Sequence, residues 1–220
     1  MRERVSGPAG DAPAVKVCGL TDPGQARACG ELGAWGIGVV LAASPRRVDA
    51  ARAARVLAAL PDGVARIGVL VDPDPAAAAG LAAELGLTHL QVHGRADVAA
   101  IARASGLPVI EGIRVDGPAA LARARASAAD MVLLDAAVPG AHGGTGSRFD
   151  WDLVAAGRAD IGRPFGVAGG LDPGNVGEAV RRLGPALVDV SSGVERAPGD
   201  KDLDRVRAFL DAARAVAGPA

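Results

Sequence analysis

Eight short apolar runs, separated by segments with apolar residues at helical spacing, most constrain the fold of this chain. The runs are 14–20, 35–42, 65–72, 89–94, 108–115, 131–136, 164–170 and 187–193. The segments between them, such as 49–60 and 75–86, are rich in Ala, Leu and Arg. Strands that alternate with helices in this way build a parallel sheet covered by helices.

Eight strand–helix units within 220 residues predict an α/β fold, a single-domain (β/α)8 TIM barrel over residues 14–217. A doubly wound sheet is the alternative, but it rarely contains eight such regular units. It also opens its first helix with a glycine fingerprint, which this sequence lacks. Residues 1–13 are polar and rich in Gly and Pro, so we expect a disordered leader. Residues 201–216 predict a closing helix.

The composition argues against several classes of protein. A net charge of -1 and an aromatic content of 2% provide neither a basic surface nor stacking platforms for nucleic acid. No apolar stretch approaches the length of a membrane span. Two cysteines do not make a disulfide framework, and the three histidines have no metal-ligand spacing. We therefore expect a cytoplasmic protein that binds no nucleic acid, membrane or metal.

The first apolar run carries a lysine and a cysteine two residues apart, Lys16 and Cys18. Because strand side chains alternate between faces, both must point the same way. Barrel enzymes keep their active sites at the C-terminal ends of the strands, and Asp135 lies at the end of the sixth run. A thiolate accepts a proton and a carboxylic acid donates one, which makes Cys18 and Asp135 candidate catalytic residues. The alternatives are a packed core cysteine and a loop-capping aspartate.

Other polar residues at the predicted strand ends are candidates for substrate binding. They are Lys16, Arg46, His93, Arg114 and Asp189. The charge of Lys16 favours the Cys18 thiolate. Arg46 is suited to clamp an anionic or aromatic group, although a solvated loop arginine is the alternative.

Glycine and serine turns after the last two strands indicate a phosphate site. Backbone N–H groups in such turns bind phosphate, and this fold often binds it after strands seven and eight. The candidates are Gly169, Gly170, Ser191, Ser192 and Gly193, with Gly144 and Gly146 from the long loop 137–150. That loop suits a mobile lid. Asp172 and Pro173 predict the start of the next helix, and ordinary turn chemistry is the alternative for both turns.

Several remaining residues are expected to pack. They are His89, Trp35, Trp151 and Cys29. Lys201 falls in the predicted closing helix, which leaves Lys16 as the single lysine at a strand end.

The ordered motifs resemble the phosphoribosylanthranilate isomerases of tryptophan biosynthesis. The matching segments are KVCGLT (16–21), SPR (44–46), IGVLVD (67–72), QVHG (91–94), LLDA (133–136), GGTGSRFDW (143–151), VAGGLDPGNV (167–176) and DVSSGVE (189–195). They follow the family's order over nearly the whole chain. A single motif such as AGG is weak evidence, whereas the ordered set is specific.

The resemblance implies an Amadori rearrangement of N-(5′-phosphoribosyl)anthranilate, the third step from chorismate to tryptophan, without a metal or an organic cofactor. It makes Cys18 the general base and Asp135 the general acid. The acid opens the furanose ring to a Schiff base, and the base removes the C2 proton to give an enolamine and then the ketone. It also places Arg46 at the anthranilate and Asp189 near the sugar hydroxyls. The glycine and serine turns take the phosphate.

The sequence departs from the family in several places. Strand two reads GIGVVL over 36–41, a stretch in which the family more often has phenylalanines, and Ala42-Ala43 shortens the loop before Ser44. Glu111 and Gly112 stand where a lysine–alanine pair is common, and 147–148 reads Ser-Arg. These departures concern the shape of the pocket and the turnover rate more than the type of reaction.

Three alternative functions remain at this point. A metal-dependent epimerase needs several His and Asp ligands, and a Schiff-base aldolase needs a strand-end lysine, for which Lys16 is the candidate. A barrel that binds a phosphorylated ligand without turnover is the third. A monomer is favoured over a homodimer, and the sequence leaves open whether the pathway is primary or specialised.

Overall fold

Eight parallel strands close into a barrel in chain order, with β8 hydrogen-bonded to β1. The computed structural model describes residues 12–136 and 151–216. The strands are β1 Ala14–Cys18, β2 Gly36–Val40, β3 Ala65–Val71, β4 His89–His93, β5 Val109–Val115, β6 Met131–Ala136, β7 Phe165–Val167 and β8 Leu187–Val190. The predicted (β/α)8 barrel is confirmed. Most strands are shorter than the apolar runs, because the runs extend into loops at the strand ends.

A helix follows each strand of the barrel. The helices are α1 Pro23–Glu31, α2 Ala50–Ala58, α3 Pro75–Leu85, α4 Val98–Ser105, α5 Ala119–Ala126, α6 Trp151–Gly157, α7 Val176–Leu183 and α8 Leu203–Arg214. Five begin after an aspartate whose carboxylate accepts a backbone N–H of the first turn, and each such cap contributes about 1 kcal/mol. These caps are Asp22, Asp49, Asp74, Asp97 and Asp202.

The predicted start of α7 at Asp172 and Pro173 is wrong. The helix begins at Val176, with Asn175 as its N-cap. The Asp172 carboxylate accepts the backbone N–H of Gly174 at 2.8 Å, and the Asn175 side chain accepts the N–H of Asp172 at 3.0 Å. Asp172 therefore closes a turn with its own neighbours and does not cap a helix.

The predicted position of Lys201 in the closing helix is also wrong. After β8 the chain forms a small antiparallel hairpin of β9 Glu195–Ala197 and β10 Asp200–Lys201. Helix α8 begins two residues later, at Leu203. The Lys201 side chain is fully buried, and its Nζ donates to Glu195 Oε1 at 2.7 Å.

The apolar core has two parts. A larger cluster packs between the strands and the helices, and it includes the predicted packing residues Cys29 and Trp151. A smaller cluster fills the barrel interior with Ala14, Ile110, Met131, Leu133, Ala168 and Leu187. Trp35 packs against this interior cluster and meets His89 edge to face at 5.2 Å. The filled interior leaves the C-terminal ends of the strands to form a site.

In the described part of the chain, every helix is too short or too polar to cross a membrane.

Candidate active site

A cavity of about 710 Å³ opens at the C-terminal end of the barrel. Most of the predicted site residues line it, namely Cys18, Arg46, His93, Arg114, Asp135, Gly169, Gly170, Asp189, Ser191 and Ser192. Lys16 and Gly193 do not line the cavity, but Lys16 is next but one in sequence to the lining residue Cys18, and Gly193 is adjacent to the lining residue Ser192. Gly144 and Gly146, with the rest of the glycine-rich loop, lie outside the described residues.

Cys18 and Asp135 stand on opposite walls of this cavity. Cys18 ends β1 and Asp135 lies near the end of β6, with β7 and β8 between them in the ring. Asp135 is partly exposed and pairs in register with Arg114 of β5, whose side chain lines the same cavity. A molecule held in the cavity therefore meets a thiol on one side and a carboxyl group on the other.

Lys16 lies one layer below Cys18 and forms a buried ion pair. Its Nζ donates to both carboxylate oxygens of Asp189 at 2.9 Å, and the two residues are register partners on β1 and β8. Burial lowers the pKa of Lys16, but attraction to Asp189 and then to Cys18 outweighs burial and leaves the pKa above its usual value. The lysine therefore remains a positive charge beneath the thiol.

Burial dominates the ionisation of Cys18. It raises the pKa of the thiol, and the charge of Lys16 opposes this effect without overcoming it. Lys16 does favour the thiolate, as predicted, but it only partly offsets the effect of burial on the pKa of Cys18. A buried thiol of raised pKa is a strong base once it is ionised, which suits proton abstraction from carbon.

Arg46 is held rigidly by one edge of its guanidinium. Nη2 donates to Glu195 Oε2 at 2.6 Å, and Nε donates to the two carboxylate oxygens at 2.9 and 3.0 Å. Within the described residues its Nη1 forms no hydrogen bond, and the side chain lines the cavity. A bidentate carboxylate fixes the plane of the guanidinium, so the remaining N–H groups are available to an anion.

The turn after β7 contains two consecutive glycines in left-handed conformation. Gly169 has a φ of 84° and Gly170 a φ of 66°, and both line the cavity. Glycine adopts this conformation without strain, and the backbone N–H groups of such a turn can bind an anion.

The turn after β8 packs tightly against the turn after β7. A side chain at Gly193 would collide with the carbonyl oxygen of Leu171. Ser191 Oγ donates to the carbonyl oxygen of Cys18 at 3.0 Å, which ties this turn to the end of β1. Gly193 thus supports the rim of the cavity from behind.

The departure at Glu111 and Gly112 has a simple structural consequence. A side chain on Gly112 would overlap the imidazole ring of His93, so the glycine leaves room for that ring. The Glu111 carboxylate accepts a hydrogen bond from Ser127 Oγ. Glu111 is therefore hydrogen-bonded to the residue that directly follows α5.

Three residues near the cavity were not predicted. Gln91 lines the cavity and is 2% exposed, and its Nε2 lies 2.8 Å from Nε2 of His93. Its Oε1 has no hydrogen-bond partner within the described residues. Strand alternation places Gln91 and His93 on one face and could have identified Gln91. The other two are Glu195 and Lys201 of the hairpin, whose contacts depend on distant parts of the chain.

Within residues 12–136 and 151–216, no cluster of three or more His, Cys, Asp or Glu side chains could hold a metal ion.

The fold and the cavity define a class of protein: a (β/α)8 barrel with a small-molecule cavity at the C-terminal ends of its strands. A family model of N-(5'phosphoribosyl)anthranilate (PRA) isomerase matches residues 15–212. The N-(5'-phosphoribosyl)anthranilate isomerase of Paracoccus denitrificans is 44% identical over 215 residues, covering 94% of this chain and 98% of the relative. The chain belongs to the N-(5'-phosphoribosyl)anthranilate isomerase family, and it is an isomerase that interconverts an aldose and a ketose.

Solved structures agree with this assignment. A phosphoribosyl anthranilate isomerase in complex with reduced 1-(O-carboxyphenylamino)-1-deoxyribulose 5-phosphate has a TM-score of 0.82 at 32% identity, covering 92% of this chain and 99% of that one. Monomers generated from the dimeric enzyme of Thermotoga maritima have a TM-score of 0.82 at 31% identity, with the same coverage of 92% and 99%.

Proposed function

We propose that this chain isomerises N-(5'-phosphoribosyl)anthranilate in tryptophan biosynthesis, with Cys18 as general base and Asp135 as general acid. The observation that carries the proposal is the placement of these two side chains on opposite walls of one cavity. The cavity also has an arginine edge at the β2 side and glycine turns at the β7 side, which suits a substrate with a carboxylate and a phosphate.

The first step opens the sugar ring. Asp135 donates its proton to the furanose ring oxygen, and the bond between that oxygen and C1 breaks. The lone pair of the anthranilate nitrogen forms the C1–N double bond of a Schiff base. Asp135 suits this role because it is partly exposed and lines the cavity on the wall opposite Cys18.

The second step moves a proton from carbon. The Cys18 thiolate takes the proton of C2, and the electrons of that C–H bond form a C1–C2 double bond. The electrons of the C1–N double bond return to nitrogen, which gives an enolamine. Tautomerisation of the enolamine gives the ketone. Lys16 lies beneath the sulfur and stabilises the anion that starts this step.

Substrate binding is assigned by charge and position. The Arg46 edge takes the anthranilate carboxylate, and the Asp189 carboxylate, which lines the cavity, accepts hydrogen bonds from sugar hydroxyls. The phosphate is bound by Gly169, Gly170, Ser191 and Ser192, and Gly193 supports the turn from behind. Gly144 and Gly146, which are also predicted to bind phosphate, lie outside the described residues. Lys16 acts through Asp189 and Cys18, while His93 and Arg114 contact the substrate from β4 and β5.

We further propose that residues 14–217 form one catalytic domain and that the enzyme acts as a cytoplasmic monomer. Most of the leader predicted for 1–13 lies outside the described residues. A homodimer is the alternative, and the related enzyme of Thermotoga maritima is described as dimeric. Sedimentation at micromolar concentration distinguishes the two states.

The test is the decay of anthranilate-type fluorescence when phosphoribosylanthranilate is generated in place. We expect rapid decay with the wild type and a loss of about 10²- to 10⁴-fold in Cys18→Ala and in Asp135→Asn. Matched controls are Cys29→Ala, a buried cysteine in α1, and Asp62→Asn, an exposed aspartate. Both controls should keep wild-type turnover. A folded wild type without turnover that still binds phosphate would instead support the binding-only barrel.

A further inference from the structure

A second group of buried charges lies beside the ion pair of Lys16 and Asp189. Lys201 Nζ donates to Glu195 Oε1 at 2.7 Å, and both side chains are almost fully buried. Glu195 is the same carboxylate that holds Arg46 in a bidentate contact, and it also accepts the backbone N–H of Gly199 at 3.1 Å. Arg46, Glu195 and Lys201 therefore form one network, called the hairpin triad below.

The hairpin triad connects three strand ends of the proposed active site. Lys201 Nζ also donates to the carbonyl oxygen of Ser191 at 3.2 Å, in the turn after β8. Ser191 Oγ in turn donates to the carbonyl oxygen of Cys18. The hairpin is thus linked to the loop after β2 through Arg46, to the turn after β8 through Ser191, and to the end of β1 through Cys18.

The charge of the triad is unbalanced. It contains two cations and one carboxylate, whereas the neighbouring pair of Lys16 and Asp189 is neutral. Burial raises the pKa of Glu195, but Arg46 and Lys201 outweigh burial and leave the pKa below its usual value. Burial lowers the pKa of Lys201 below its usual value, and attraction to Glu195 and then to Cys18 opposes this effect. The Cys18 thiolate interacts favourably with both Arg46 and Lys201, and Ser191 links Lys201 to the end of β1. The other charged and titratable groups that line the cavity, besides Cys18, Arg46 and Asp189, are Asp72, His93, Arg95, Glu111, Arg114, Asp116, Arg123 and Asp135.

We propose that Glu195 and Lys201 are positioning residues of the isomerase reaction: Glu195 orients Arg46 for the substrate, and Lys201 supplies surplus positive charge beside the Cys18 sulfur. This inference rests on the proposed roles of Cys18 and Arg46. Burying three charges without solvent is costly, and a lysine that served only to close the hairpin could be replaced by an apolar residue of similar size.

The test measures the reactivity of the Cys18 thiol, which needs no turnover. In a Cys29→Ala background, the rate of alkylation by iodoacetamide is followed against pH, with Cys18→Ala as the blank. Lys201→Met removes a positive charge, so alkylation at pH 7 should slow on the order of tenfold. Glu195→Gln removes a negative charge, so alkylation should become faster by a similar factor. The double variant restores the net charge and should react at nearly the wild-type rate.

Steady-state kinetics separate the two roles. Glu195→Gln should raise KM for phosphoribosylanthranilate about tenfold or more, because Arg46 loses its orienting partner. Lys201→Met should lower kcat with a smaller change in KM. Arg196→Met is the matched control, because Arg196 makes an exposed ion pair with Asp200 on the same hairpin, and it should change neither thiol reactivity nor kinetics.

The outcomes are distinct. Opposite changes in thiol reactivity for the two single variants, with recovery in the double variant, support the proposal. Equal changes in one direction, or none in folded variants, would overturn it and leave the triad as a purely structural device. If Lys201→Met does not fold, the alkylation rates of Glu195→Gln and of the double variant still test the proposal. If the variants change the reactivity of Cys18 as expected but the wild type shows no turnover, the proposed function is wrong, whereas the effect of the triad on the thiol stands.

Discussion

Gly38 of β2 faces the sulfur of Cys18 across the hydrogen-bonded pair of β1 and β2. The two residues are register partners, and a methyl group built on Gly38 would lie 2.9 Å from Cys18 Sγ and 3.1 Å from Lys16 Nζ. The absence of a side chain at Gly38 thus leaves the space that the Cys18 thiol and the Lys16 ammonium occupy.

Gly38→Ala should impair catalysis more than folding. The added methyl must displace the Cys18 sulfur or the Lys16 ammonium, and overpacking of this kind costs about 1–3 kcal/mol. We expect kcat to fall at least about tenfold, because a misplaced base loses its alignment with C2. Gly80→Ala is the control, since Gly80 is an exposed position in α3 with open space around its Cα. It should leave kcat unchanged and raise stability slightly, by up to about 1 kcal/mol.

Lys16→Met should be strongly destabilising because it leaves Asp189 buried without its partner. Removing one member of a buried ion pair typically costs about 3–5 kcal/mol. The double variant Lys16→Met, Asp189→Asn buries no unpaired charge and should recover part of that loss. Urea unfolding of the wild type, both single variants and the double variant measures the coupling. Strictly additive effects would contradict a direct ion pair between the two side chains.

Gly193→Ala should loosen the proposed phosphate site. A methyl there collides with the carbonyl oxygen of Leu171, so the turns after β7 and β8 must separate. We expect a rise of about tenfold in the inhibition constant for inorganic phosphate, with a smaller effect on kcat. Gly174→Ala, in the neighbouring turn, meets only the Asp172 carboxylate at 3.2 Å and serves as the control. Unchanged phosphate inhibition in Gly193→Ala would argue against a phosphate at these turns.

Much of the site could be predicted from strand alternation alone. The alternation of side chains along a strand places Lys16 and Cys18 on one face. The position of Asp135 at the end of its run places it at the C-terminal end of the barrel, as it does Cys18. These relationships are local, since they depend only on which residues belong to a strand. The fold itself follows from the regular repetition of such strands and of helices with aspartate caps.

The hairpin triad could not be predicted in this way. Lys201 directly precedes Asp202, the N-cap of α8, and its backbone N–H donates to Gln25 Oε1 at 2.9 Å, on a distant part of the chain. The turn at Gly199, with a φ of 83°, brings Lys201 back to Glu195. The contacts of Lys201 with Gln25 and of Glu195 with Arg46 join residues far apart in sequence, and such contacts leave no periodic signal.

Cys29 should make the protein sensitive to alkaline pH. Burial raises the pKa of its thiol from 9.0 to about 11. In the unfolded chain the thiol ionises near its ordinary value, while the folded protein keeps the proton. The unfolded state therefore gains free energy relative to the folded state as the pH rises from about 9, and the loss of stability levels off above about 11. Two pKa units correspond to about 2–3 kcal/mol.

The measurement compares Cys29→Ala with its parent in a Cys18→Ala background, so that the second thiol does not titrate. The cavity left by the smaller side chain costs the same at every pH, whereas the thiol contribution changes between pH 8 and pH 11. The stability advantage of the parent in urea should therefore shrink by about 2–3 kcal/mol across that range. A constant difference would mean that the Cys29 thiol ionises equally in both states and is not shielded in the folded protein.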